Sequence, residues 1–273
     1  MELLQEIAAT FAAIKANTPL VHHLTNYVTA NDSANITLAC GASPVMAADP
    51  GEATDMVAKA GALVLNIGTL NAAAVDTMIA TGRRAGDLGV PIILDPVGAG
   101  ATPARTDAAG RIVRETSPAV IRGNAAEIKT VAGLSAAIRG VDSAADEPGG
   151  EAVAAGLARR LGCVVALTGR TDIVAGAGRV CRIANGHPWL ARVTGTGCMA
   201  TSLIGCCLGA GASPYAAAVT GLVVMGVAGE LAHRSLGPED GIGTFRVKLF
   251  DAVFNLTPEL LVSHAKISET RED

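Results

Sequence analysis

Residues 62–100 read ALVLNIGTLNAAAVDTMIATGRRAGDLGVPIILDPVGAG. An apolar run, ALVLNIG, gives way to a stretch of helical character and then to a second apolar run, VPIILDP, so the segment reads strand, helix, strand. The same alternation continues on both sides. PLVHHLT (19–25) and ASPVM (42–46) come before it, AVIRGN (119–124) and CVVALTG (163–169) after it, each leading into a helix-like or polar stretch. Alternation of this kind predicts a mostly parallel central sheet with helices on both faces, three layers in all. Beyond CVVALTG the pattern changes: TDIVAGAG (171–178) and RVCRIANG (179–186), parted by turn glycines, read as hairpin strands at a sheet edge. The last third is mostly helical.

Composition agrees with close helix-on-sheet packing. Hydrophobic residues make up 50% of the 273 positions and aromatics 3%, with 32 glycines, so the core is expected to be Ala, Val, Leu and Ile packed tightly. A formal charge of -4 without a run of Lys or Arg leaves no footprint for nucleic acid. The six cysteines (Cys40, Cys163, Cys181, Cys198, Cys206, Cys207) include no CxxC and no clustered His, and read as reduced cytoplasmic thiols. Glu2 and Glu6 stand where an export signal carries positive charge, so the N-terminal segment is expected to be a surface helix. Tyr215–Leu231 is nearly long enough to span a bilayer, but its Ala, Gly and Val content, with Pro214 before it and Glu230 and His233 at its end, predicts a buried helix and no membrane contact. AIRGVDSAADEPGG, around Gly140 to Gly150, is expected to be a surface loop, and the tail SETRED a frayed end. Neither marks a boundary, so one domain over 1–273 is expected.

In an open parallel sheet, ligands collect beyond the carboxyl ends of the strands. Four loops there carry chemistry. In RVTGTGCMATSLIGCCLGAG (192–211), Thr194, Gly195, Thr196 and Gly197 lead into an apolar helix beginning near Cys198. Glycines let successive N–H groups face one cavity and the helix start adds partial positive charge, so Gly195, Thr196, Gly197 and Cys198 form an anion hole; a tight loop-to-helix turn is the plainer reading. No Gly-Lys-Ser/Thr follows, so this is not a Walker loop. In ILDPVGAG, an apolar strand delivers Asp95 to its carboxyl end, where it can hold Mg²⁺ at nucleotide phosphates or simply open a turn. In AVIRGNAAEI, Asn124 and Glu127 have capping-box spacing, while Glu127 can also join Asp95 at a metal and Arg122 can neutralise phosphate charge. In LTGRTD, the Thr168 hydroxyl meets a phosphate or caps a turn. Together the loops supply what phosphoryl transfer from ATP needs: bridging Mg²⁺, an arginine and an oriented anion hole.

With HHLTNYVTAND (22–32), SPVMA (43–47) and GTFRVKLFDA (243–252), these runs resemble the hydroxyethylthiazole kinase family of the ribokinase-like superfamily, from about Pro19 to Phe254. The resemblance implies a ribokinase-like fold and ATP-dependent phosphorylation of the hydroxyl of 5-(2-hydroxyethyl)-4-methylthiazole, a thiamine salvage step. It implies that Met46 and Asn26 line the thiazole pocket, that Arg122 and Thr168 bind nucleotide, that Gly195 gives a backbone contact, that Asp95 and Glu127 hold Mg²⁺, and that the assembly is a homotrimer with active sites between subunits. Many superfamily members carry Asp as general base where this chain has Cys198. A helix N-terminus lowers a thiol pKa, so Cys198 is either a thiolate base or a small group that orients the alcohol. The rival readings are a pyridoxal or hydroxymethylpyrimidine kinase, a dehydratase acting on hydrated nicotinamide cofactors, and a non-catalytic binding protein on the same fold. His22 and His23 point to opposite faces of one strand and read as structural, Cys206 and Cys207 as packing, and His187 and Trp189 as a surface turn.

Overall fold

The computed structural model describes residues 2–133 and 149–271. In chain order its elements are α1 (Glu2–Asn17), β1 (Leu20–Leu24), α2 (Ala30–Cys40), β2 (Ser43–Val45), α3 (Pro50–Val57), β3 (Ala62–Asn66), α4 (Ala72–Leu88), β4 (Ile92–Asp95), α5 (Pro103–Thr116), β5 (Val120–Asn124) and α6 (Ala125–Val131). After residue 148 come α7 (Gly150–Leu161), β6 (Val164–Thr168), β7 (Asp172–Gly176), β8 (Arg179–Ile183), a 3-10 helix (Pro188–Arg192), α8 (Thr196–Gly209), α9 (Pro214–Arg234), α10 (Ile242–Asn255), α11 (Pro258–His264) and β9 (Ile267–Arg271).

The strands form one nine-stranded sheet in the order β2-β1-β3-β4-β5-β6-β7-β8-β9. The first six in that order pair parallel, and the last three join antiparallel. Side chains alternate across the pleat: Val21, Val64, Ile93 and Val120 face one core with α1, α2, α8, α9, α10 and α11, whereas Leu63, Leu65, Leu94 and Ile121 face the other with α3 to α7. Continuous apolar runs at β3 and β4 follow from burial on both faces.

Small residues permit the close layers that the composition predicts. A Cβ on Gly221 of α9 would lie 2.7 Å from the backbone nitrogen of Ile204 of α8, so the helices cross where only glycine fits. Helix α9 is long and apolar enough to cross a membrane, with mean hydropathy 1.6, yet 89% of that stretch is buried in the protein. The buried-helix expectation holds. α1 lays Ile7, Phe11 and Ile14 on the core and leaves its other face to solvent.

The structure differs from the expectation in two places. The tail is not frayed through Arg271: β9 pairs with β8 from Arg179↔Arg271 to Ile183↔Ile267, so β7 and β8 are interior and β9 is the edge. Glu269 accepts from Arg179 Nε at 2.8 Å and from the Tyr215 hydroxyl at 3.0 Å, which anchors a strand too polar to be seen as one in sequence. His187 and Trp189 are not in a simple surface turn. Residues 188–192 form the 3-10 helix; His187 stacks on His233 at 3.6 Å between ring centroids, and Trp189 meets Phe245 edge-on at 5.8 Å. The expected loop around Gly140 to Gly150 lies almost wholly outside the described residues.

Candidate active site

The carboxyl ends of β3, β4, β5 and β6 bring Asn66, Asp95, Asn124 and Thr168 to one edge, with Asn66 paired to Asp95 and Asn124 to Thr168. The start of α8 faces the same edge. Gly195 adopts φ 87°, and a Cβ there would sit 2.8 Å from Thr29 Cγ2, so glycine is required on both counts. The first intrahelical bond runs from Met199 N to Gly195 O at 2.8 Å, which places the N–H groups of Thr196, Gly197 and Cys198 ahead of the helix ladder. No side chain caps them. The Thr196 hydroxyl donates back to Leu190 O at 2.9 Å.

Arg122 crosses this space. Its Nη2 donates to Thr168 Oγ1 at 2.7 Å, and its Nη1 lies 3.7 Å from Asp95 Oδ2. A Cβ on Gly197 would come within 2.6 Å of the same Nη1, so the glycine lets the guanidinium rest on the helix start. Asp172 accepts from Gly169 N at 2.9 Å beside this cluster, and burial pushes its carboxyl up to about 6 against the pull of Gly169 N–H and Arg122.

Asp95 is fully buried. Its Oδ2 accepts from Asn66 Nδ2 at 2.9 Å and from the Thr201 hydroxyl at 2.9 Å, while its Oδ1 is buried without a hydrogen-bond partner among the described residues. Burial pushes its pKa up to about 6; Arg122, Thr201 and Asn66 oppose that rise and the Glu127 charge adds to it. Glu127 completes the capping box, with Oε2 accepting from Asn124 N at 2.8 Å, and its Oε1 reaches Gly98 N at 2.8 Å in the loop after β4. The capping-box reading of its spacing is observed, and the same side chain also ties down the loop after β4. Two carboxylates, one with an orphaned oxygen, suit Mg²⁺, which takes few protein ligands and fills its shell with water and phosphate. No group of three or more His, Cys, Asp or Glu side chains gathers as a metal cluster among the described residues.

On the other side of Asp95, Asn26 Nδ2 donates to Asn66 Oδ1 at 2.9 Å and to Cys198 Sγ at 3.5 Å, and Asn66 Nδ2 donates to the same sulfur at 3.2 Å. The structure thus brings Asn26, Cys198 and Asp95 together. Met46 follows β2 at the same edge, partly exposed, and His22 Nε2 lies 2.8 Å from Ala47 O and pins the loop. The sequence left Cys198 open between a thiolate base and a small group that orients the alcohol. Burial pushes the Cys198 pKa up and the Asp95 charge adds to it, outweighing the hydrogen bonds of Thr29 and Asn66 and the charge of Arg122. The helix start does not make Cys198 a thiolate at neutral pH.

Three residues of the site escaped the sequence reading. Asn66 and Thr201 hold Asp95; Arg105 of α5 donates to Ile67 O at 3.1 Å, Val97 O at 2.7 Å and Gly68 O at 2.9 Å and so clamps the loops after β3 and β4. The only local signal for Asn66 is a polar residue closing the apolar run ALVLN, aligned with Asp95 at the end of IILD.

The sequence pattern of the hydroxyethylthiazole kinase family matches residues 11–259. The chain belongs to that family. A hydroxyethylthiazole kinase from Alkaliphilus oremlandii is 47% identical over 270 residues, covering 98% of this chain and 100% of the relative. The solved structure of a hydroxyethylthiazole kinase from Pyrococcus horikoshii OT3 is 36% identical and superposes with TM-score 0.89 over 98% of this chain and 100% of that one. A ribokinase-like superfamily protein from Enterococcus faecalis shares the fold at TM-score 0.63 and 14% identity, over 88% of each chain. The chain is thus a kinase, a phosphotransferase, with a ribokinase-like fold.

Proposed function

We propose that the chain, acting as one catalytic domain, transfers the γ-phosphoryl group of ATP to the hydroxyl of 5-(2-hydroxyethyl)-4-methylthiazole, a thiamine salvage step. Family membership over residues 11–259 and the meeting of Asp95, Arg122 and the uncapped start of α8 at one sheet edge carry this reading. Asn26 and Met46 contact the thiazole, and Cys198 faces its alcohol. Arg122 and Thr168 bind the nucleotide, with Arg122 neutralising phosphate charge. The N–H groups of Gly195, Thr196, Gly197 and Cys198 hold the transferring phosphoryl group, whose charge sits in the field of the helix start. Asp95 and Glu127 would hold Mg²⁺, which when bound supplies positive charge between phosphate oxygens.

A thiol kept protonated orients the alcohol better than it removes its proton, and phosphoryl transfer through a loose transition state asks little of a base. A carboxylate at this position meets the same two amide donors, so Cys198→Asp is expected to keep turnover within about tenfold of the parent or raise it. We also propose a cytoplasmic homotrimer that completes the site between copies. Its support is the apolar side chains left open to solvent: Tyr27 is 82% exposed and Phe254 66%, with Val28, Leu38 and Val247 also exposed.

The test is Mg²⁺-dependent ATP consumption with hydroxyethylthiazole, pyridoxal or hydroxymethylpyrimidine, each against a no-substrate blank, with sedimentation for the copy number. Turnover confined to the thiazole alcohol supports the assignment. Preference for another alcohol moves the protein to a different kinase activity, and inactivity on all three favours a dehydratase or a binding protein.

A further inference from the structure

Asn66 makes four hydrogen bonds, as many as its side chain allows. Nδ2 donates to Asp95 Oδ2 at 2.9 Å and to Cys198 Sγ at 3.2 Å; Oδ1 accepts from Asn26 Nδ2 at 2.9 Å and from Gly68 N at 2.9 Å. The orientation of the amide is not free. Gly68 N–H can only donate, so the oxygen must face it and the nitrogen must face Asp95 and the sulfur. The side chain is 2% exposed; Gly68 is a neighbour two residues on, while Asp95, Asn26 and Cys198 lie 29, 40 and 132 residues away in the chain.

None of these partners is a packing group. Three are side chains of the site, and the fourth is the backbone of the loop clamped by Arg105. A Cβ on Gly68 would lie 2.9 Å from Asn26 Nδ2, so Asn26 is held between that loop and Asn66. The amides of Asn26 and Asn66 both donate to Cys198 Sγ, so the sulfur is fixed relative to Asp95 through Asn66.

We propose that Asn66 is a positioning residue for phosphoryl transfer: one buried amide ties the alcohol-side pair Asn26 and Cys198 to the phosphate-side carboxylate Asp95 and sets the line between acceptor and donor. This rests on the thiazole kinase reading above. The O–P bond that forms and the bridging P–O bond that breaks must lie nearly in line, and an error of about 1 Å in such a geometry costs about 100-fold in rate. Among replacements, Asp keeps the shape of Asn66 but carries at most one hydrogen, so it cannot serve Asp95 and Cys198 together. Ala serves neither.

Steady-state kinetics of Asn66→Ala and Asn66→Asp, with both substrates varied and thermal unfolding recorded alongside, test the proposal. We expect kcat to fall about 100-fold while both KM values stay within about threefold, because reacting groups are misplaced while binding groups remain. In a double-mutant cycle with Cys198→Ala, the loss from Asn66→Ala shrinks at least tenfold, because the two residues act together. If Asn66→Ala does not fold, the isosteric Asn66→Asp carries the same expectation. Values of kcat within threefold of wild type in the folded variants, a raised thiazole KM with kcat unchanged, or additive losses in the cycle each overturn the proposal. Wild-type protein that phosphorylates another alcohol but not the thiazole overturns the substrate reading instead, and the Asn66 ratios are then measured on that alcohol.

Discussion

Helices α8 and α9 follow one another in the chain, pack together, and begin in opposite ways. α9 starts with Ser213, whose side chain accepts from Ala216 N at 3.2 Å, and with Pro214 at the first helical position. Its free N–H groups are answered locally, as at most helix starts. α8 starts with Gly195 in the left-handed region and no capping side chain, at the edge where the parallel strands end. In the function proposed above, its N–H groups serve a group outside the helix. An uncapped start is unfavourable to the free protein and useful to a bound anion, so the contrast separates a start that serves the site from one that serves the fold. α6 lies between the two, because Glu127 closes its capping box and also stands beside the Asp95 carboxyl.

The sharpest way to break this comparison is Gly197→Ala. The three nearest atoms to the added methyl all belong to the flexible tip of Arg122, so the fold is expected to hold within about 1 kcal/mol, whereas kcat/KM falls about 100-fold or more. Calorimetry and kinetics on one preparation check both halves, and a normal rate would remove Arg122 from the site.

A second test contrasts Asn26 with His23, three residues earlier, where β1 holds a polar group buried away from the site. Burial pushes His23 down to about 3, and the His22 charge adds to this. The native state keeps it neutral while the unfolded chain takes up a proton below pH 6.5. Its contribution to stability therefore falls as pH drops from 6.5 towards 3, by up to about 1.4 kcal/mol per pH unit. Asp95 and Asp172, raised to about 6, contribute in the opposite sense over the same range, so the His23 contribution is read as a difference: in denaturant unfolding from pH 7 to 4.5 the wild type is expected to lose stability relative to His23→Asn with that slope.

Glu127→Gln divides the mixed case of α6. Glutamine keeps one accepting oxygen for the capping box but turns an NH2 donor toward the second backbone N–H that Glu127 serves, at Asn124 or Gly98, so stability falls by about 1–3 kcal/mol, while the Mg²⁺ concentration giving half-maximal rate rises about tenfold. Unchanged Mg²⁺ dependence would leave Glu127 as a cap alone. The smallest effect is expected at α9, where Ser213→Ala costs about 1 kcal/mol of stability and leaves both kinetic constants unchanged.

Much of the site was legible because its signals are local. Apolar runs ending in Asp95, Asn124 and Thr168 place those residues at strand ends, and the glycine turn before Cys198 marks a helix start whatever surrounds it. What escaped was set by distant neighbours. Thr201 looks like any threonine inside an apolar helix until its hydroxyl is found on Asp95, 106 residues away. β9 escaped because ISETR has little apolar content and is held by pairing with β8 and by the bonds of Glu269.

By itself, then, the sequence determined the strand and helix alternation, the parallel sheet, and the set of loops gathered beyond its carboxyl edge. These depend on periodicity and on which residues permit a turn, properties that a short segment carries wherever it lies. Only the tertiary structure decided the protonation of Cys198, because desolvation and the Asp95 charge outweigh the helix start once the chain is packed. It also decided that Asn66 joins the two sides of the site. A side-chain amide acquires its role from the groups that surround it, and three of these four, 29 to 132 residues away, meet it only after the sheet has formed.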